Sequence, residues 1–117
     1  MGFLTTHVLD TANGKPADGL RLELFKILKD VKNLVTERST NIDGRCDQPI
    51  AADNEFTIGT YQIEFHVGEY FKKKGLETKG PAFLEIVPIR FGIASPDEHY
   101  HVPLLVSPYS YSTYRGS

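Results

Sequence analysis

Hydrophobic and polar residues alternate along most of this chain with the two-residue period of a strand. The clearest stretch is 60–67, TYQIEFHV: Tyr61, Ile63, Phe65 and Val67 fall on one face, Gln62, Glu64 and His66 on the other, as in a half-buried strand. Phe3 to Asp10 predicts a first strand. Leu20 to Leu28 predicts a second, with Leu20, Leu22 and Leu24 opposite Arg21 and Glu23, and Asn33 to Asn41 a third, less apolar one. Phe83 to Ala94 reads as a long apolar strand. Pro88 within it argues for an edge or a bulge, because proline has no N–H to give to a ladder. His99 to Ser107 and Tyr109 to Tyr114 complete the set. Asn13-Gly14, Asp18-Gly19, Asp43-Gly44, Gly80-Pro81 and Ser95-Pro96 separate these segments as turns. Gly68 to Gly75, GEYFKKKG, is the one helix candidate: its lysines precede a glycine, as at a helix C-terminus. At two turns it needs packing from Tyr70 or Phe71 to persist. Seven or so short strands joined by turns predict an all-β fold, an antiparallel β-sandwich.

Composition supports strands. Val, Ile, Thr, Phe and Tyr together number 37, against 6 Ala; β-branched and aromatic side chains suit a pleated surface, whereas Ala is the best helix former. The 117 residues predict a single domain, 1–117. The net charge of −2 argues against a nucleic-acid partner, since phosphate binding needs a basic surface. No apolar run reaches the length of a membrane span, and the N-terminal residues MGFLTTHVLD lack the pattern of a signal peptide. The single cysteine, Cys46, excludes an intrachain disulfide framework and a zinc finger.

The candidate chemistry centres on His99-Tyr100-His101. Residues i and i+2 of a strand share a face, so both imidazoles point the same way, while Tyr100, Val102, Leu104 and Val106 form a core face. Two imidazoles on the outer face of a sheet suit a metal site or an acid/base pair; they also suit a solvated surface pair. His7, in TTHVLD, has no mechanism without placed partners. Arg45 follows the Asp43-Gly44 turn, where it is either a surface ion-pairing group or a planar fork for an anionic or carbonyl-rich ligand. His66 reads as a surface residue and Cys46 as a small buried side chain. There is no nucleophile elbow, no P-loop and no paired-cysteine ligand set. The segment Ser107 to Ser117, SPYSYSTYRGS, is rich in tyrosine and strand formers and is expected to be ordered.

Four segments together, LTTHVLDTANGKPA at 4–17, DGR at 43–45, GEYF at 68–71 and HYHVPLLVSPYSYSTYRGS at 99–117, resemble the transthyretin-related family, in its 5-hydroxyisourate hydrolase branch. The terminal YRGS marks that branch and is absent from the thyroid-hormone carriers of the same fold. The resemblance implies a transthyretin-like (prealbumin-like) sandwich of two four-stranded sheets with one short helix, assembled as a homotetramer, a dimer of dimers, with Arg45 on a short fourth strand. It implies that the histidine-bearing faces line a channel between two dimers. The implied reaction is hydrolysis of 5-hydroxyisourate to 2-oxo-4-hydroxy-4-carboxy-5-ureidoimidazoline: water attacks a ring carbonyl and a cyclic amide bond opens, without cofactor or metal. Carried over by position, His7, Arg45, His101 and Ser117 are the expected catalytic residues, and His7, Arg45 and Tyr114 the expected substrate-binding ones. Family members occur in cytosol, periplasm and peroxisomes; with neither a signal peptide nor a terminal Ser-Lys-Leu, the cytoplasm is the expected compartment. Two rival readings are a binding protein for a small aromatic ligand in the same channel, and a zinc-binding module using His99 and His101 with or without His7.

Overall fold

The structure is a computed structural model that describes residues 2–76 and 79–116. Alternation sorts each strand into an inner and an outer face, and two layers close over the inner ones. One layer consists of β4 (Arg21–Leu28), β5 (Val31–Ser39), β7 (Gly59–Phe65) and β8 (Val87–Ile93) in the order β5-β4-β7-β8, antiparallel throughout. β8 lies at the edge, where Pro88 costs the ladder nothing.

The other layer contains β1 (Phe3–Thr5), β2 (Val8–Asp10), β3 (Lys15–Pro16), β6 (Ala51–Ala52), β9 (His99–His101), β10 (Leu104–Val106) and β11 (Tyr111–Thr113). Its pieces run β6-β1-β9 and β11-β10-β2-β3. They share one register: Leu4 pairs with Tyr100, and Val8 with Leu104. Two backbone bonds carry the ladder between the pieces, from Val102 N–H to the Thr5 carbonyl (2.9 Å) and from Leu104 N–H to the His7 carbonyl (3.0 Å). The predicted strands 3–10 and 99–107 are therefore each broken once, at Thr6-His7 and at Val102-Pro103. The sandwich is mainly antiparallel, as predicted, and includes two parallel pairs, β1–β9 and β2–β10; alternation fixes which face a side chain takes and carries no information on strand direction.

The core joins Leu4, Val8, Tyr100, Val102 and Leu104 from this layer to Leu22, Leu24, Ile63, Phe65 and Val87 from the other, all buried. Helix α1 (Val67–Lys73) buries Val67, Tyr70 and Phe71, so packing supplies what its short length lacks. It ends as its sequence predicts: the Leu76 and Gly75 N–H groups bond the carbonyls of Phe71 (3.0 Å) and Lys72 (3.1 Å). Tyr70 also fastens the helix to the histidine-bearing layer. Its hydroxyl donates to Asp10 Oδ2 at 2.8 Å. Asp10 is buried; burial works against its charge, but bonds from Asn13 and Tyr70 outweigh that and hold its carboxyl below the ordinary range.

Candidate active site

The outer face of the broken layer gathers the groups singled out from sequence. Leu4 and Tyr100 point into the core, so Thr5, His99 and His101 point outward, each half-buried. His7 follows two residues after Thr5, in the break between β1 and β2, and is also half-buried. The pairing of β1 with β9 sets Phe3 beside His99 and Thr5 beside His101. Phe3 stacks on the His99 ring at 4.3 Å between centroids. Thr5 Oγ1 lies 2.7 Å from His99 Nε2 and 2.8 Å from His101 Nδ1, joining the two imidazoles through one hydroxyl. Sequence reasoning did not find Thr5, whose partners are 94 and 96 positions away along the chain.

Arg45 does not lie on a strand, as the resemblance implied. It sits in an irregular loop ahead of β6, because side-chain bonds bend the chain there. Asn41 Oδ1 accepts from the N–H groups of Asp43 (2.9 Å) and Arg45 (3.2 Å), closing an Asx-type turn that competes with a ladder. Gly44 completes the turn at φ 75°, and its carbonyl accepts from Val8 N–H at 2.8 Å. A Cβ at Gly44 would stand 2.5 Å from the Val8 carbonyl oxygen, so only glycine lets the loop dock on β2. That contact holds Arg45 beside His7.

Arg45, Gln48, Thr5, His99 and His101, with Cys46, line a cleft of about 320 Å³. A second cleft, of about 490 Å³, lies near α1 between Phe71, Phe83 and Tyr109, but its lining includes no imidazole. The first has the groups for acid/base chemistry. Burial and the Arg45 charge lower the pKa of His7, against a smaller opposing effect of Asp43. Burial, Arg45, His99 and His7 in turn lower that of His101. Both rings are thus held in the neutral form that accepts a proton at neutral pH. Cys46 is pushed up to about 11, chiefly by burial, and stays a thiol.

The terminal segment extends along this face. β11 pairs antiparallel with β10, Thr113 opposite Leu104, and the same register reappears where Gly116 pairs with His101. Gly116 N–H donates to the His101 carbonyl at 2.7 Å. Between these points the register sets Tyr114 opposite Pro103 and Arg115 opposite Val102, without ladder bonds. Arg115 bonds Glu98 at 2.9 Å and lies over the Tyr100 ring at 4.0 Å from its centroid. Tyr114 is exposed and does not line the cleft. Ser117, the remaining expected catalytic residue, lies outside the described residues.

His66 belongs elsewhere. It was expected at the surface, but it is half-buried beside the other sheet. Arg21 donates to its Nδ1 (3.2 Å), so Nε2 carries the proton it shares with Glu23 (2.7 Å). Among the described residues no group of three or more His, Cys, Asp and Glu is arranged to hold a metal ion, and no helix is long and apolar enough to cross a membrane.

Comparison with known proteins agrees with this architecture. The 5-hydroxyisourate hydrolase 2 of Rhizobium meliloti (strain 1021) is 56% identical over 116 residues, covering 99% of this chain and 97% of the relative. A crystal structure of (S)-allantoin synthase superposes with a TM-score of 0.92 at 54% identity, covering 99% of this chain; the chain spans only 44% of that protein. The structure of Klebsiella pneumoniae 5-hydroxyisourate hydrolase superposes with a TM-score of 0.81 at 31% identity, over the whole of both chains. A profile described as the HIUase/Transthyretin family matches residues 4–116, a span that takes in His7, Arg45, the two imidazoles tied by Thr5 and the tail as far as Gly116; the chain belongs to that family.

Proposed function

We propose that this chain, as one domain, hydrolyses 5-hydroxyisourate to 2-oxo-4-hydroxy-4-carboxy-5-ureidoimidazoline. The observation that carries this reading is the placing of Arg45: its guanidinium lines the cleft with His99 and His101, and it helps to lower the pKa values of His101 and of the neighbouring His7, which does not itself line the cleft. Opening a cyclic amide with water needs a base for the water proton, and a neutral imidazole supplies it. It also needs positive charge or donors where the carbonyl oxygen becomes anionic, and Arg45 is placed to give both charge and a planar fork. The flat, polar substrate must be fixed against these groups. We assign water activation and proton transfer to His101 and His7, substrate binding and oxyanion stabilisation to Arg45, contact with the ring to Tyr114, and positioning of substrate or water to Ser117. A homotetramer in which the histidine-bearing faces of two dimers line a shared channel would bring Tyr114 over a cleft that a single chain leaves open. The cytoplasm is the proposed compartment.

The test is an absorbance time course of freshly generated 5-hydroxyisourate with and without the protein. Rapid decay at micromolar protein, strongly reduced in His101→Ala and Arg45→Met, is the expected result; decay at the spontaneous rate with the wild-type protein would defeat the proposal.

A further inference from the structure

Thr5 is the hydroxyl between two imidazoles, and a hydroxyl has one proton to donate. With both rings neutral, two arrangements use that proton between them. In one, Thr5 donates to His101 Nδ1 and accepts from His99 Nε2–H; His101 then carries its own proton on Nε2 and has no lone pair left for catalysis. In the other, His101 Nδ1–H donates to Thr5 and Thr5 donates to His99 Nε2; the Nε2 lone pair of His101 is then free. Only the second lets His101 take up a proton without disturbing the chain, because the imidazolium still donates from Nδ1 to the same oxygen. Among the described residues, Thr5 is the only side chain that hydrogen-bonds the His101 ring.

We infer that Thr5 is a positioning residue: placed between the two rings, it holds His101 in the Nδ1–H tautomer and makes its Nε2 the base that accepts the proton of water. The inference rests on the hydrolase reading above, and it chooses between the two histidines that reading leaves together. The charged and titratable groups around the pair are Arg45 and Cys46, which line the cleft, His7, whose charge acts on His101, and the Glu98–Arg115 ion pair beside His99. Cys46 remains neutral, and Glu98 and Arg115 are paired, so His7 and Arg45 are the remaining groups that bear on His101.

The test joins nitrogen NMR of the imidazoles, which reads the tautomer directly, to turnover across pH in wild type, Thr5→Val and Thr5→Ser. Valine matches threonine in shape and lacks the hydroxyl; serine restores it. In wild type at pH 7.5 the expected His101 proton is on Nδ1. Thr5→Val should release that tautomer and lower kcat by about 10-fold or more, as loss of a group that orients a proton-transferring imidazole does, with KM little changed and the acid limb of the pH profile altered. Thr5→Ser should return both readouts toward wild type. A His101 proton on Nε2 in the wild-type protein, or unchanged kcat and pH profile in Thr5→Val, would overturn the inference. Failure of the wild-type protein to accelerate substrate decay would instead remove the hydrolase reading, while the tautomer spectrum would still decide the Thr5 arrangement.

Discussion

Gly116 lies against the His101 ring: a Cβ at Gly116 would stand 2.6 Å from His101 Cδ2 and 3.2 Å from Cγ. The missing side chain makes room for a neighbouring imidazole, not for a ligand. Gly116→Ala should therefore displace that ring while the sandwich stays intact. The expected outcome is a loss of kcat of about 10²-fold or more, since small misplacements of a reacting group cost that much, with a melting temperature near wild type. Unchanged turnover in this variant would show that the ring has slack the contact does not suggest.

The pH profile follows from the same cleft. The pKa of His101 is lowered from its ordinary 6.5, by burial first and by Arg45 next, so the base form persists below that value. The acid limb of kcat/KM should lie below pH 6.5. Removing the guanidinium in Arg45→Met takes away a charge that disfavours the imidazolium, so the pKa rises and the residual activity should lose its base at higher pH than wild type. Rate profiles on the two proteins, measured against spontaneous decay at each pH, give the sign.

Arg45→Lys should behave almost as badly as Arg45→Met in kcat/KM. Lysine keeps the charge but has no planar fork for two acceptors at once. Arg45 is exposed in its loop, so the melting temperature should barely move in either variant, and kinetics paired with calorimetry separates the two effects.

Tyr70→Phe tests the fastening between helix and sheet. It leaves buried Asp10 short of one donor, a change that costs about 1–3 kcal/mol. Asp10 titrates below its ordinary 3.8 in the folded chain, so its contribution is complete above that value and is lost as pH falls through the lowered one. Without the Tyr70 hydroxyl the folded pKa moves back up. Acid unfolding of Tyr70→Phe should begin at higher pH than in wild type, and denaturant titrations at several pH values would show it.

The strands were legible because their alternation is local: TYQIEFHV needs no distant partner to declare its inner face. The turn at Lys29-Asp30 was not, although both residues take positive φ, 51° and 64°, because the pair lacks the Asn-Gly or Asp-Gly signature of such a hairpin. The break at Val102-Pro103 also depends on pairing. Leu104 and Val102 give their N–H groups to the first strand, so Pro103 would have donated toward the tail, which only the assembled sheet reveals. The histidines and Arg45 were visible as residue types in a family pattern. Their common hydroxyl, Thr5, was not, because a threonine in a strand is ordinary until its neighbours across the sheet are known.

That absent proline donor has a consequence for the tail. Thr113 Oγ1 donates to the Pro103 carbonyl at 2.7 Å and Gly116 N–H to the His101 carbonyl at 2.7 Å, so the strap is riveted at both ends and free in the middle. Tyr114 sits in the free span, on the same face as His101 by register, yet with no ladder bond to break. The sheet therefore separates two duties within four residues. The rivets hold the imidazole in place, while position 114 can exchange one side chain for another without unpicking a strand, which makes it the place where ligand preference can drift at little expense to folding.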